Sequence, residues 1–127
     1  MILVVDASAL AAVIFGEPEG PEIARYLEDE TLVAPALLDF ELANIGLKKV
    51  RRAPERMPEI VAALERAEGL NVERIAVPSI DALTLASKTG LTAYDASYLW
   101  VAMSMDSELV TLDHHLARVN EALRERG

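Results

Sequence analysis

Four carboxylates occupy positions where the surrounding pattern calls for an apolar residue or a turn former: Asp6, Glu41, Asp95 and Asp113. Asp6 closes the apolar run Met1-Ile2-Leu3-Val4-Val5, and Asp113 closes Glu108-Leu109-Val110-Thr111-Leu112. Short apolar runs of this kind read as buried strands, which puts both acids at strand ends. Glu41 and Asp95 fall on segments with helical patterning. Were the four to converge, each pair of charges about 4 Å apart would repel by about 4 kcal/mol at an effective dielectric of about 20. A fold keeps such a cluster only where a cation or shared protons relieve it. Oxygen-only ligands select a hard ion, Mg2+ or Mn2+, over zinc. An ion of that kind makes a nucleophile of a bound water.

Each acid also has a structural alternative. Asp6 is placed to cap a following helix. The turn Asp6-Ala7-Ser8 holds no glycine, which disfavours a dinucleotide site. Ser8 stands where a phosphatase with an aspartyl nucleophile would carry a second Asp. Asp95 shares a helical face with Tyr98, Leu99 and Ala102, so it stands on a core-facing stripe where a lone charge is costly. Thr92-Ala93-Tyr94-Asp95 also reads as a capping box. Glu41 shares its stripe with Leu37, Asn44, Ile45 and Lys48, a mixed face suited to a pocket rim. Asp39 lies about 200° away around the same helix and is expected in solvent. Asp113 can cap the helix starting at His114, and Thr111 adds a hydroxyl able to bind a metal-bound water or a phosphate oxygen. His114 and His115 have no Glu-x-x-His spacing and are not taken as ligands.

The elements that must position these groups alternate in type. Strands are expected at 2–5, 32–34, 74–77 and 109–112. Helices are expected at 8–15 with Ser8 as cap, from Pro21 to Leu27, at 36–52, 58–68, 79–88, 92–105 and 114–124. The stops are Gly16-Glu17-Pro18, Pro35, Pro54, Gly69 and Gly90. Strands alternating with helices indicate an α/β fold with a parallel central sheet and helices on both faces. Ligands in such folds bind outside the carboxyl ends of the strands, where Asp6 and Asp113 are expected.

With 127 residues the chain is read as a single domain, residues 1–127. It contains no cysteine, which removes disulfides and thiolate zinc sites. The apolar start is too short for a signal segment and has no basic lead, and no run is long enough to span a bilayer, so a cytoplasmic protein without membrane contact is expected. The net charge of −9 argues against nucleic acid as a partner. Yet five of the 12 basic residues, Lys48, Lys49, Arg51, Arg52 and Arg56, crowd into one stretch. A basic patch beside an acidic metal pocket suits a phosphodiester, with Lys48, Lys49, Arg51 and Arg52 steering its backbone. The other reading is a solvated helix end favoured by the helix dipole.

In order along the chain, Val4-Val5-Asp6-Ala7-Ser8-Ala9-Leu10, Gly16-Glu17-Pro18, Glu41 three before Asn44, Leu91-Thr92-Ala93-Tyr94-Asp95-Ala96-Ser97-Tyr98 and Leu109-Val110-Thr111-Leu112-Asp113 resemble a PIN domain. The resemblance is to the VapC-like toxin ribonucleases of VapBC toxin–antitoxin modules and covers nearly the whole chain. It implies a three-layer α/β/α fold on a parallel sheet of four or five strands, and a Mg2+- or Mn2+-dependent endoribonuclease. It also implies a small VapB-like protein antitoxin that blocks the pocket, and a homodimer. Asp6, Glu41 and Asp95 match the main metal-site acids, and Asp113 completes the set. Ser8 and Thr111 match small hydroxyl positions lining the site, and Asn44 the polar position one turn after the helix acid. Two rival functions remain open: a PIN-type nuclease of RNA processing or decay without an antitoxin, and a catalytically silent interaction module.

Overall fold

The computed structural model describes residues 1–126. Along the chain run β1 (Ile2–Val5), α1 (Ala7–Ile14), α2 (Gly20–Leu27), β2 (Thr31–Pro35), α3 (Leu38–Arg52), a 3-10 turn at Pro54–Arg56 and α4 (Met57–Glu68). They are followed by β3 (Glu73–Ile75), α5 (Ser79–Thr89), α6 (Ala93–Ser104), β4 (Glu108–Val110) and α7 (His114–Arg126). The four strands form one parallel sheet in the order β3-β2-β1-β4.

The central strand explains the layering. Leu3, Val4 and Val5 are each no more than 1% exposed, so both faces of β1 are covered, as parallel sheets require. Helix α6 lies across β1, β2 and β4, with α5 packed on it, while α1 gathers α2, α3 and α4 into the second helical group. Together they make the expected α/β/α sandwich. Gly90, at a left-handed φ of 77°, ends α5 in a conformation that a side chain would resist. Among the described residues no helix is long and apolar enough to cross a membrane.

Strand order has a direct functional consequence. From β1 the chain steps to β2 and β3 on one side, then returns to place β4 on the other side of β1. The crevice at the carboxyl ends of β1 and β4 is therefore the topological switch point, the place where α/β sheets bind ligands. Register pairs Val5 with Val110, and the Asp6 amide donates to the Val110 carbonyl (3.1 Å). Beyond this point β1 turns into α1, and β4 loses its partner. That is why β4 ends at Val110 rather than at Leu112, and why Asp113 sits on the loop beyond the strand. Similarly β3 stops at Ile75, paired with Pro35, the last residue of β2, rather than running to Val77.

Candidate active site

Asp6 is the structural anchor of the crevice. It is the N-cap of α1, a role the sequence offered both to Asp6 and to Ser8, with extended backbone (φ −92°, ψ 173°). Its Oδ1 accepts from the Ala9 amide (3.0 Å) and from Ser8 Oγ (2.7 Å), and its Oδ2 from Thr111 Oγ1 (2.5 Å). Ser8 is displaced from the cap because Asp6 reaches the open first-turn amides from the end of β1, leaving the Ser8 hydroxyl free to serve the carboxylate. At 4% exposure Asp6 is a nearly buried acid. Burial raises its carboxyl above the ordinary range, the three donors work in the opposite direction, and the charge of Asp113 adds to the rise.

The loop after β4 is tied to the same network. Ser8 Oγ accepts from the Leu112 amide (2.9 Å), and Thr111 Oγ1 from the Asp113 amide (2.9 Å). Asp113 in turn accepts from the Leu116 amide (3.0 Å), which caps α7. Thus Ser8 and Thr111 lock two strand-end acids into one frame. This role is more definite than lining, and Thr111 itself is outside the cavity lining.

Glu41 enters from α3. Its stripe with Leu37, Asn44, Ile45 and Lys48 faces the cavity, as the helical spacing predicts. Its Oε1 accepts from the Tyr98 hydroxyl of α6 (2.6 Å). Burial raises the Glu41 carboxyl, the Tyr98 bond opposes this, and the charges of Asp95 and Asp6 reinforce it. Tyr98 is 1% exposed, and burial followed by the Glu41 bond pushes its phenol far above its ordinary value, so it remains a donor. Sequence patterning placed Tyr98 only on the apolar stripe of α6; nothing in that pattern reveals where its hydroxyl finds an acceptor.

Asp95 lies in the first turn of α6 and is half-buried. Its amide donates to the Thr92 cap (3.0 Å), half of a capping box, while Tyr98, Leu99 and Ala102 on its face are buried. The capping and inward-facing readings are both correct. Burial raises its carboxyl first, then the charge of Asp113, with His115 opposing.

Asp6, Glu41, Asp95 and Asp113 all line a cavity of about 550 Å³, together with Ser8, Asn44 and Lys48. They surround it without closing on a point: among the described residues no three acidic or imidazole side chains stand together as a finished ion-binding set. Asp6, Glu41 and Asp113 each bond their own local donors. The donor set is nonetheless all carboxylate oxygen around one cavity, the chemistry that fits a hard divalent cation.

The basic run divides. Lys48 lines the cavity, whereas Lys49 turns to Glu17 (3.3 Å) and lies over the Phe15 ring (5.3 Å to its centre). Arg51 and Arg52 are exposed in the last turn of α3, outside the cavity lining, where the helix dipole favours them. Of the four cations read as steering a phosphate backbone, Lys48 lines the cavity; Lys49 lies about 100° round α3 from it, and Arg52, though on the Lys48 face, stands a full turn further along the helix. Asp39, expected in solvent, is exposed but paired with Arg74 (2.7 Å). Two further lining residues were not singled out in the sequence: Phe40 of α3 and Tyr94 of α6.

The family model of the PIN domain matches residues 3–122. The chain is similar to ribonuclease VapC3 of Pyrobaculum aerophilum, 37% identical over 97% of this chain and 98% of that one. It is also similar to ribonuclease VapC9 of Mycobacterium tuberculosis, 30% identical over 95% of this chain and 93% of the relative. Among solved structures it resembles PAE2754 from P. aerophilum, with a TM-score of 0.79, 27% identity and coverage of 99% and 94%. VapC20 of M. tuberculosis, a sarcin-ricin loop cleaving toxin, shares the fold with a TM-score of 0.66 at 15% identity, covering 91% and 93%.

Proposed function

The chain belongs to the PIN domain family, and from that premise we propose that it is a metal-dependent endoribonuclease, the toxin of a type II toxin–antitoxin pair. The observation that carries this reading is the arrangement of four carboxylates, two on strand-end loops and two on helices, around one cavity at the topological switch point. The ribonuclease names of full-length relatives supply the substrate class.

In this reading Asp6, Glu41, Asp95 and Asp113 hold Mg2+ or Mn2+. When bound, such an ion supplies an activated water and offsets charge on the phosphate. Ser8 and Thr111 keep the Asp6 carboxylate oriented, and Tyr98 does the same for Glu41. Lys48, at the cavity rim, receives the phosphate backbone, and Asn44, on the same stripe as Glu41, offers an amide donor to a phosphate oxygen. Hydrolysis breaks the bond between phosphorus and the 3′ oxygen. The water oxygen stays on the 5′-phosphate, and a proton passes to the 3′-hydroxyl. A small protein antitoxin covering the cavity would keep RNA out, and the active species is proposed to be a homodimer.

The test is cleavage of a defined RNA panel with Mn2+ or Mg2+, wild type beside Asp6→Asn. Cleavage by the wild type alone, abolished by EDTA, is expected, with the variant still folded. Full activity in the variant, or undiminished cleavage in excess EDTA, would sink the mechanism. Growth arrest on expression, relieved by the product of an adjacent reading frame, separates a toxin from a nuclease of RNA processing.

A further inference from the structure

We propose that Phe40 and Tyr94 are a pair of base-stacking platforms at the mouth of the acid cavity, so that the chain engages unpaired ribonucleotides whose bases splay onto the two rings. This assignment rests on the ribonuclease reading above and specifies how that substrate is held. Phe40 is 81% exposed and Tyr94 64% exposed, yet both line the cavity that holds the carboxylates. Each stands one residue before an acid of the site, Phe40 before Glu41 on α3 and Tyr94 before Asp95 on α6. One helical step is about 100°, so each ring lies beside its acid, turned outward to the rim. Two helices thus carry the same device: a carboxylate in the cavity and a bare aromatic face next to it.

Electrostatics favour a contribution from the rings. Lys48 is the cation that lines the cavity, Lys49 is engaged by Glu17 and Phe15, and the chain carries a net charge of −9. Beyond the ion proposed above, Lys48 and Asn44, the cavity lining offers few contacts to phosphate, and stacking, which any base can provide, adds to the hold on a polyanion at this mouth. A duplex hides its base faces and is held mainly through phosphates and 2′-hydroxyls. That mode needs more cations than the one, Lys48, that lines this cavity among the described residues. Aromatic rather than aliphatic side chains at both rim positions favour bases over the apolar side chains of a protein partner.

The experiment uses the whole chain with Mn2+, a single-stranded oligoribonucleotide that the wild type cleaves, and the variants Phe40→Leu and Tyr94→Leu. Leucine keeps apolar bulk and removes the π face, and both positions are exposed, so melting temperatures should not move. Each substitution is expected to raise KM about tenfold with kcat changed by less than about twofold. Quenching of 2-aminopurine placed beside the cut should weaken in both variants. The log–log salt slope of KM should correspond to about one phosphate contact, and the same RNA annealed to its complement should be cut at least about tenfold less efficiently. Unchanged KM and quenching in both variants, with an active wild type, would overturn the stacking role and leave the rings to a protein partner. A wild type that cleaves no RNA would overturn this assignment and the ribonuclease reading together. Active enzyme with intact KM in the variants overturns this assignment alone.

Discussion

The Tyr98–Glu41 bond shows how a side chain outside the acid set shapes it. Glu41 is half-buried near two other carboxylates, and its Oε1 is held at 2.6 Å by a hydroxyl that burial keeps protonated. Tyr98→Phe leaves the ring in place and deletes only that donor. A loss of about 0.5–1.5 kcal/mol is expected in urea denaturation. Mn2+ affinity is expected to fall about tenfold by calorimetry, the effect of losing a group that orients a ligand. Unaltered Mn2+ binding would reduce the bond to a packing detail. Asp113 permits a cleaner separation of roles, because it both caps α7 and lines the cavity. Asp113→Asn keeps a capping oxygen and removes the charge, so activity should be lost with stability kept. Asp113→Ala should lose activity and about 1 kcal/mol of stability as well. Equal stability of the two variants would show that the cap is not used.

Among the elements, α1 is fixed at both ends. Its first turn is held by Asp6, and its last turn is packed against the start of α2, where a Cβ on Gly20 would overlap the Ala12 carbonyl oxygen. Backbone cannot yield as a flexible side chain does. Gly20→Ala is therefore expected to destabilise by about 1–3 kcal/mol in chemical denaturation, despite the better helix propensity of alanine. A stabilised variant would show that α2 can slide away freely. Helix types and order were readable because Pro54, Gly69 and Gly90 mark real ends and because the stripe of Glu41, Asn44, Ile45 and Lys48 keeps helical spacing. The end of β4 was not readable. Thr111 and Leu112 have strand-like side chains, and only the turn of β1 into α1 deprives them of a partner.

For the molecule as a whole, the acid cavity links folding to pH and, in the proposed function, to metal. Burial, followed by like charges, raises the carboxyls of Asp6, Glu41 and Asp95 above their ordinary values of 3.8, 4.5 and 3.8. Between those values and the raised ones the folded state binds more protons than the unfolded chain, so stability falls as pH rises through that window. Asp39 with Arg74 and Glu59 with Arg56 have lowered carboxyls, whose contribution is lost only as pH falls below the ordinary values. The two trends thus occupy different ranges. In EDTA the melting temperature should fall as pH rises from the ordinary carboxylate values through the raised ones. Saturating Mn2+ should raise it once the acids are ionised, by mass action. A profile in EDTA that climbs steadily from the ordinary carboxylate values to neutrality would contradict the repulsion.

What the sequence determined by itself is considerable, and it is local or periodic. The apolar run before Asp6, the helical stripe through Glu41, the inward face of Asp95 and the alternation of strands with helices all follow from spacing along one element, as did the exclusion of Asp39 from the site. Only the tertiary structure decided what the elements do to one another. It chose Asp6 over Ser8 as the cap, joined Thr111 to Asp6 across the β1–β4 boundary, found Tyr98 an acceptor on α3 and brought Phe40 and Tyr94 to one cavity. It also spread Lys49, Arg51 and Arg52 away from the cavity and held the four acids around it without closing them. The physical reason is range. Periodicity reports which face of an element is apolar, whereas a hydrogen bond or a like-charge repulsion between distant residues exists only once sheet order has brought their elements together.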